Sequence, residues 1–389
     1  MMRKRWPITA SVAAGVMAVA ACGSGTDDDE NGGDNGNVDH PIVVTHDSGL
    51  LVLDGDTLEV AHEIERDEFL RLNPAGTDDH VLVSTSAGFE VLDAAAGELT
   101  DLVFEADTPG HVVRHADLAV LFADGTGEIT TFDPHDLESD EEPHTHTHHA
   151  PEAHHGVAVQ LENGELLYTL GDDETRVGAE VVDADGKEVA RSEDCPGVHG
   201  EAMAEDEVVV IGCEDGVLLY SDGEFTKIDS PDDYGRIGNQ AGDSHSPFVL
   251  GDYKNDPDAE LERPTRISLI DTENAELQLV DLPASYTFRS LERGPDGEAL
   301  VLGTDGDLHV IDPDSGDVVD SIEVIAEEWE EPLDWQQPRP AVFVRGGTAY
   351  ISDPAAQEIH ALDLDTGEVT ATAELEVAPN ELSGAVHDH

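Results

Sequence analysis

The sequence predicts an all-β chain folded as a single closed β-propeller, most simply of eight four-stranded blades, with seven as the competing count. Three observations carry this expectation. One short phrase recurs at intervals of about 40 to 50 residues. Each copy is an apolar run bounded by Gly, Asp and Pro, which reads as antiparallel strands joined by tight turns. Beyond the first 21 residues, no segment sustains the 3.6-residue apolar period of a helix.

The phrase is a Gly or small residue, four or five residues of strand character, then Asp and a turn. It runs Gly49 to Asp54, Gly88 to Asp93, Gly127 to Asp133 and Gly178 to Asp183. A weaker copy spans Gly216 to Ser221, and it is where the count of eight is most exposed to error. Three more follow, at Ile267 to Asp271, Leu308 to Asp312 and Ile359 to Asp363. An apolar run precedes each phrase and a further strand follows it, which gives four strands per repeat. The first repeat starts at Pro41 without an innermost strand, whereas the chain ends on an unassigned run, Glu381 to His387. That run, placed beside Ile42–Val44, would close the ring and remove its open edge.

The N-terminus predicts export. Arg3, Lys4 and Arg5 precede an apolar stretch that ends in Val19-Ala20-Ala21-Cys22. A basic cluster, a short apolar run and small residues before a cut describe a secretory signal over residues 1–21. The Cys after Val-Ala-Ala resembles a bacterial lipobox, which implies lipidation of Cys22 and anchoring at the outer face of the cell membrane. Residues 22–37 are almost wholly polar and acidic, so they read as a flexible tether. The propeller is assigned to residues 38–389 and is expected to be a monomer.

With 18 Lys+Arg against 88 Asp+Glu, the formal net charge is −70. Such a surface repels nucleic acid and anionic lipid. A dense carboxylate shell also suits a salty medium, so a single exposed acid says little about function. Besides Cys22 there are only Cys195 and Cys213. They are read as one disulfide in an oxidising compartment, with soft metal ligation as the alternative.

Histidine carries the chemistry. His144, His146, His148, His149, His154 and His155 crowd one segment, with His135 just before it. Flanked by Pro and acids, the tract at about 135–155 reads as a mobile metal-binding loop. A second pattern is more discriminating. His111, His155 and His199 each stand at the entrance to the innermost strand of consecutive repeats. Innermost strands line a propeller's channel, so these rings are expected to meet at one mouth. His154 or Glu201 is expected to complete the site or orient a ligand. Three imidazoles with one further ligand suit four-coordinate zinc, although the same nitrogens also take copper and nickel. Ordinary imidazoles titrate near pH ~6.5, so binding is expected to weaken as pH falls through about 6. His387 and His389 could join from the C-terminus. His309 and His360 sit inside third strands and read as packing residues. His62, His80 and His115 have no partner in sequence, and His245 opens a loop.

The propeller repeats, the His-rich tract before Ala153 to Val159, and the run Asp194-Cys195-Pro196-Gly197-Val198-His199-Gly200-Glu201 together resemble the AztD-type zinc metallochaperones, YncE-like β-propellers. The resemblance covers nearly the whole mature chain. It implies zinc capture through histidines and delivery to the solute-binding protein of a zinc ABC transporter, without enzymatic activity. The lipobox and the extreme charge depart from periplasmic members of that family. Two rival readings remain: an interaction scaffold with incidental metal binding, and a propeller enzyme. Against the enzyme, the chain has no G-x-S-x-G or H-E-x-x-H and few cationic residues to hold an anionic cofactor.

Overall fold

A computed structural model describes residues 37–139 and 141–386. The expected signal segment, most of the tether, Cys22, His387 and His389 lie outside the described residues. Within them the chain forms eight antiparallel blades, each built on a four-stranded path. Every copy of the recurring phrase is the third strand of its blade, including the weak one, which lies within Asp215–Ser221 of blade 5.

The alternation in each phrase explains why the blades stack. In Gly49–Asp54 the side chains of Leu50 and Val52 pack toward blade 2, whereas Leu51 and Leu53 join the cluster shared with blade 8. Middle strands are therefore buried on both faces, as Pro41–His46 and His80–Thr85 are throughout. Outer strands such as Val60–Glu65 and Val318–Glu323 are largely exposed, and they carry much of the acidic surface.

Closure follows the expected route. Leu382–Gly384 pairs antiparallel with Pro41–His46, with Val44 opposite Leu382, Val43 opposite Ser383 and Ile42 opposite Gly384. The last segment thus supplies the innermost strand of blade 1. Arg289 secures its entrance by donating to the backbone carbonyl and side-chain oxygen of Asn380 and pairing with Glu381.

The histidine tract departs from the loop expected over 135–155. A short 3-10 turn, Pro134–Glu138, leads to a strand, Thr145–His149, that forms the outer edge of blade 3 against Glu128–Phe132. The alternation Thr-His-Thr-His suits a half-exposed outer strand, and blade 3 has no other fourth strand. Cys195 and Cys213 are joined in a disulfide, both fully buried. It ties the approach to the innermost strand of blade 5, His199–Met203, to the end of the next strand, Val209–Cys213.

Candidate metal centre

All innermost strands of a propeller run in one direction, so the segments entering them open at one mouth. There the structure brings together His111, His155 and His199 from blades 3, 4 and 5. They do not occupy one strict register. His111 is the third residue of Pro109–His115, His199 is the first of His199–Met203, and His155 stands three residues before Ala158–Gln160. Bulges at Pro109/Val112 and His199/Glu201 absorb the offset. At the second bulge Gly200 takes φ +69°, and a Cβ there would stand 2.6 Å from the Gly238 carbonyl oxygen.

The three side chains present nitrogens to one point. Nε2 of His155 lies 3.3 Å from Nε2 of His111 and 3.2 Å from Nε2 of His199. The ligating atoms of all three fall within 4.8 Å of one another. Zn–N bonds of about 2.0–2.1 Å in tetrahedral geometry set nitrogens about 3.3–3.4 Å apart. Both separations from His155 therefore match a zinc site, and the third pair lies within 4.8 Å, so the three imidazoles can share one ion with a fourth position left open.

The far nitrogens settle how the rings are held. Nδ1 of His155 donates to Asp124 at 2.5 Å, and Nδ1 of His199 donates to the Gly238 carbonyl at 2.5 Å. A carbonyl only accepts, and so does an ionised carboxylate. The proton therefore sits on Nδ1 and the Nε2 lone pair faces the cluster. Asp124 also accepts from the backbone N–H of Gly156 at 3.3 Å. Gly110 leaves room for this carboxylate, because a Cβ there would stand 2.1 Å from its Oδ1.

Electrostatics favour the neutral form of His111 and His199. Burial pushes His111 well below the ordinary imidazole value, assisted by His199, His155, Arg71 and Arg176. Burial and the nearby charge of Arg236 push His199 down to about 3, against the opposing bond to Gly238. Neutral imidazole is the form that binds metal. At these two residues protons therefore compete with metal less than at an ordinary imidazole.

The other candidates separate. His154 is 4% exposed and has both nitrogens engaged, Nδ1 with the Glu152 carbonyl at 2.9 Å and Nε2 with Thr169 Oγ1 at 3.0 Å. Its ring meets Phe122 edge-on, so it packs blade 3 against blade 4 rather than completing the site. Glu201 is outside the three-histidine group; burial raises its carboxyl to about 7, with Arg114 opposing. His144, His146 and His148 border a cavity of about 660 Å³ with Asp133, Asp136 and Asp183. His149 is exposed on the same strand. His148 rests against Tyr168, and burial lowers its pKa. His309 and His360 are buried within third strands and bond Ser321 and Thr372, as packing residues should. His115 pairs with Glu207, a contact sequence reading does not reach.

Fold and site together define a propeller with a cluster of three imidazoles, able to hold a metal ion, at one mouth. No family model matches the chain. It is 26% identical over 317 residues to the zinc chaperone AztD of Citrobacter koseri, covering 77% of this chain and 72% of that protein. The structure of apo AztD from the same organism superposes with a TM-score of 0.76 at 21% identity, covering 90% of this chain and 99% of that one. A second AztD crystal structure gives 0.72 at 22% identity, over 90% and 100%. The chain is thus similar to AztD over most of its length and shares its β-propeller fold. The dihydro-heme d1 dehydrogenase NirN aligns at 0.57 and 13% identity over 91% of this chain and 76% of that one. The architecture alone therefore does not separate carriers from enzymes.

Proposed function

We propose that this protein is an extracytoplasmic zinc chaperone, not an enzyme, and that it holds zinc at His111, His155 and His199 and passes it to the solute-binding protein of a zinc ABC transporter. The observation that carries the reading is the convergence of three imidazoles, with His155 Nε2 at 3.3 and 3.2 Å from the other two and all ligating atoms within 4.8 Å of one another. The printed name of the curated relative, a zinc chaperone, agrees with it. Zinc is cargo here: a site with three neutral ligands and an open fourth position can hand the ion to a better ligand set by stepwise exchange, with no chemical step of its own. The exposed histidines of Thr145–His149 serve as a lower-affinity collecting surface. The signal-like segment and the lipobox-like Cys22 support a position outside the cell membrane and tethered to it, where a soluble carrier would diffuse away.

The test is zinc titration against a competing chromophoric chelator, with untagged protein. The wild type should bind one zinc tightly. His155→Ala with His199→Ala should abolish that phase and leave the circular dichroism spectrum unchanged. An unaltered tight phase in the double variant refutes the assignment.

A further inference from the structure

The chain has 88 Asp+Glu against 18 Lys+Arg, so acids are abundant as partners for its few arginines. Half-buried or buried guanidinium groups that are paired include Arg66 with Glu90, Arg289 with Glu381 and Arg339 with Glu331, while Arg263, Arg293 and Arg345 donate to backbone carbonyls. Arg176 and Arg236 differ. Both are half-buried, and among the described residues neither side chain has a hydrogen bond or an ion pair.

Both stand at the metal mouth. Arg176 is the first residue of Arg176–Val182, at the turn that returns to the mouth side of blade 4. Arg236 lies in Gly235–Arg236, on the segment that enters blade 6. Its guanidinium abuts Gly238, where a Cβ would stand 2.6 Å from a terminal nitrogen. The Gly238 carbonyl is the group that holds His199. The two arginines repel each other, Arg236 acts on His199, and Arg176 acts on both His111 and His199.

The acids within electrostatic reach of Arg176 are Glu214 and Asp124. Asp124 has both oxygens committed, to His155 and to the Gly156 N–H. Three neutral imidazoles leave a bound zinc ion with its full double charge. Two unpaired cations beside it add to that charge, which Asp124 and Glu214 offset only in part, and a neutral water at the fourth position would leave it in place unless the water lost a proton. An oxyanion would relieve it. It can ligate zinc through one oxygen and accept guanidinium hydrogens through the other, the geometry in which arginine recognises carboxylates. Zinc also accepts carboxylate oxygen readily.

Building on the zinc-site reading above, we propose that the mouth is a composite site in which His111, His155 and His199 take the cation while Arg176 and Arg236 take a carboxylate that fills the fourth position. That carboxylate comes either from a small free anion or from an acidic side chain of the protein that exchanges zinc with this one. In the second case the arginines recognise the partner's ligand before the metal moves.

The full-length protein loaded with cobalt(II), whose d–d bands report the ligand set, separates these outcomes. Cobalt binding that depends on His155 and His199 is checked first; its failure refutes the metal site itself, not the anion subsite alone. Acetate, and separately the peptide acetyl-Gly-Asp-Gly-amide, are then titrated into the loaded protein. A saturable band shift with either probe is the expected result. Acetate acting as well as the peptide identifies a free anion, and clearly tighter binding of the peptide identifies a protein-borne carboxylate. Arg176→Gln with Arg236→Gln should raise the midpoint at least about tenfold, the scale of losing charge-assisted bonds. The same variant should bind cobalt more tightly in anion-free buffer, because repulsion is removed. Arg176→Lys with Arg236→Lys should restore part of the anion response and shows that the sites fold. No saturable shift with either probe, or an unchanged midpoint in the Gln variant, overturns the proposal.

Discussion

Asp124 accepts the Nδ1 hydrogen of His155 at 2.5 Å, and this bond, made from blade 3 to the segment entering blade 4, points the other ring nitrogen at His111 and His199. A metal site depends on such outer partners because they fix both tautomer and ring direction. Asp124→Asn should therefore weaken zinc binding by about 10- to 100-fold while leaving the fold intact. Competitive zinc titration measures it. An affinity equal to the wild type would mean that the ring is held by packing alone.

The pH response of the mouth differs from that of the exposed tract. His199 titrates at about 3 and His111 well below the usual range. At His199 protons do not compete at pH 5.5, and at His111 they compete less than at an ordinary imidazole. An exposed imidazole, near ~6.5, is mostly protonated there. Tight zinc binding should thus weaken less than the weaker equivalents bound by the outer strand as pH falls from 7 to 5.5. The same shifts act on stability. The folded form of each of these histidines binds fewer protons than the unfolded form between its folded pKa and about 6.5. Their contribution to the stability of the metal-free protein is complete above about 6.5 and falls as pH drops through that window. Metal counts at pH 7 and 5.5, in chelex-treated buffer, test the first part. Parallel loss of tight and weak zinc would contradict it.

The outer strand of blade 3 sets a condition on probing its histidines. Thr145–His149 pairs along its whole length with Glu128–Phe132. Deleting residues 143–149 would expose that strand's edge and lower stability, so the deletion does not isolate the metal function. Substituting His144, His146 and His149 by Thr keeps strand propensity. The triple variant should retain the single tight zinc, lose the weak equivalents and acquire metal more slowly from dilute solution. Loss of the tight phase would move the primary site to this strand.

The disulfide joins two fully buried positions and closes a short loop. Cys195→Ala with Cys213→Ala should cost roughly 3 kcal/mol by the loop-entropy estimate, read from denaturant midpoints. Zinc affinity should change little, because neither sulfur belongs to the histidine cluster. Reactivity of both cysteines toward alkylating reagents without a reductant would contradict the bridge.

Much of this structure is legible because its signals are local. Each third strand announces itself through its own turn chemistry, as Asp54, Asp93 and Asp363 show by accepting backbone N–H groups of the following turn. The three ligands are legible because a propeller makes the entrances to consecutive innermost strands spatial neighbours, even where their positions differ by a few residues. Asp124 is not, since one more acid in a turn carries no signal among 88. The Gly238 carbonyl is backbone, invisible to side-chain patterns. His154 looks equivalent to its neighbour His155, but Phe122 and Thr169 decide its role, and they lie 32 and 15 residues away in sequence. The outer strand reads as loop by composition, although its Thr-His alternation carries the two-residue period of a strand.

The ring closure is the most decisive test of the architecture. Leu382–Gly384 contributes only three residues, yet it covers the inner edge of Pro41–His46, whose side chains are all buried. Ending the chain after Glu381 would uncover that edge, release Leu382 and Ala385 from their clusters and leave the Pro41 carbonyl and the Val43 backbone groups without partners. Arg289 would keep its bonds to Asn380 and Glu381, but the segment they hold would lead nowhere. Three backbone pairings and two buried apolar side chains together are worth roughly 3–6 kcal/mol. The truncated protein should therefore unfold at clearly lower denaturant concentration, and its open edge should promote self-association, visible by size-exclusion chromatography. The zinc site lies on blades 3, 4 and 5, away from the break, so whatever fraction remains folded should still bind one zinc tightly. A truncated chain as stable and as monomeric as the full one would show that the last strand is not what closes the ring.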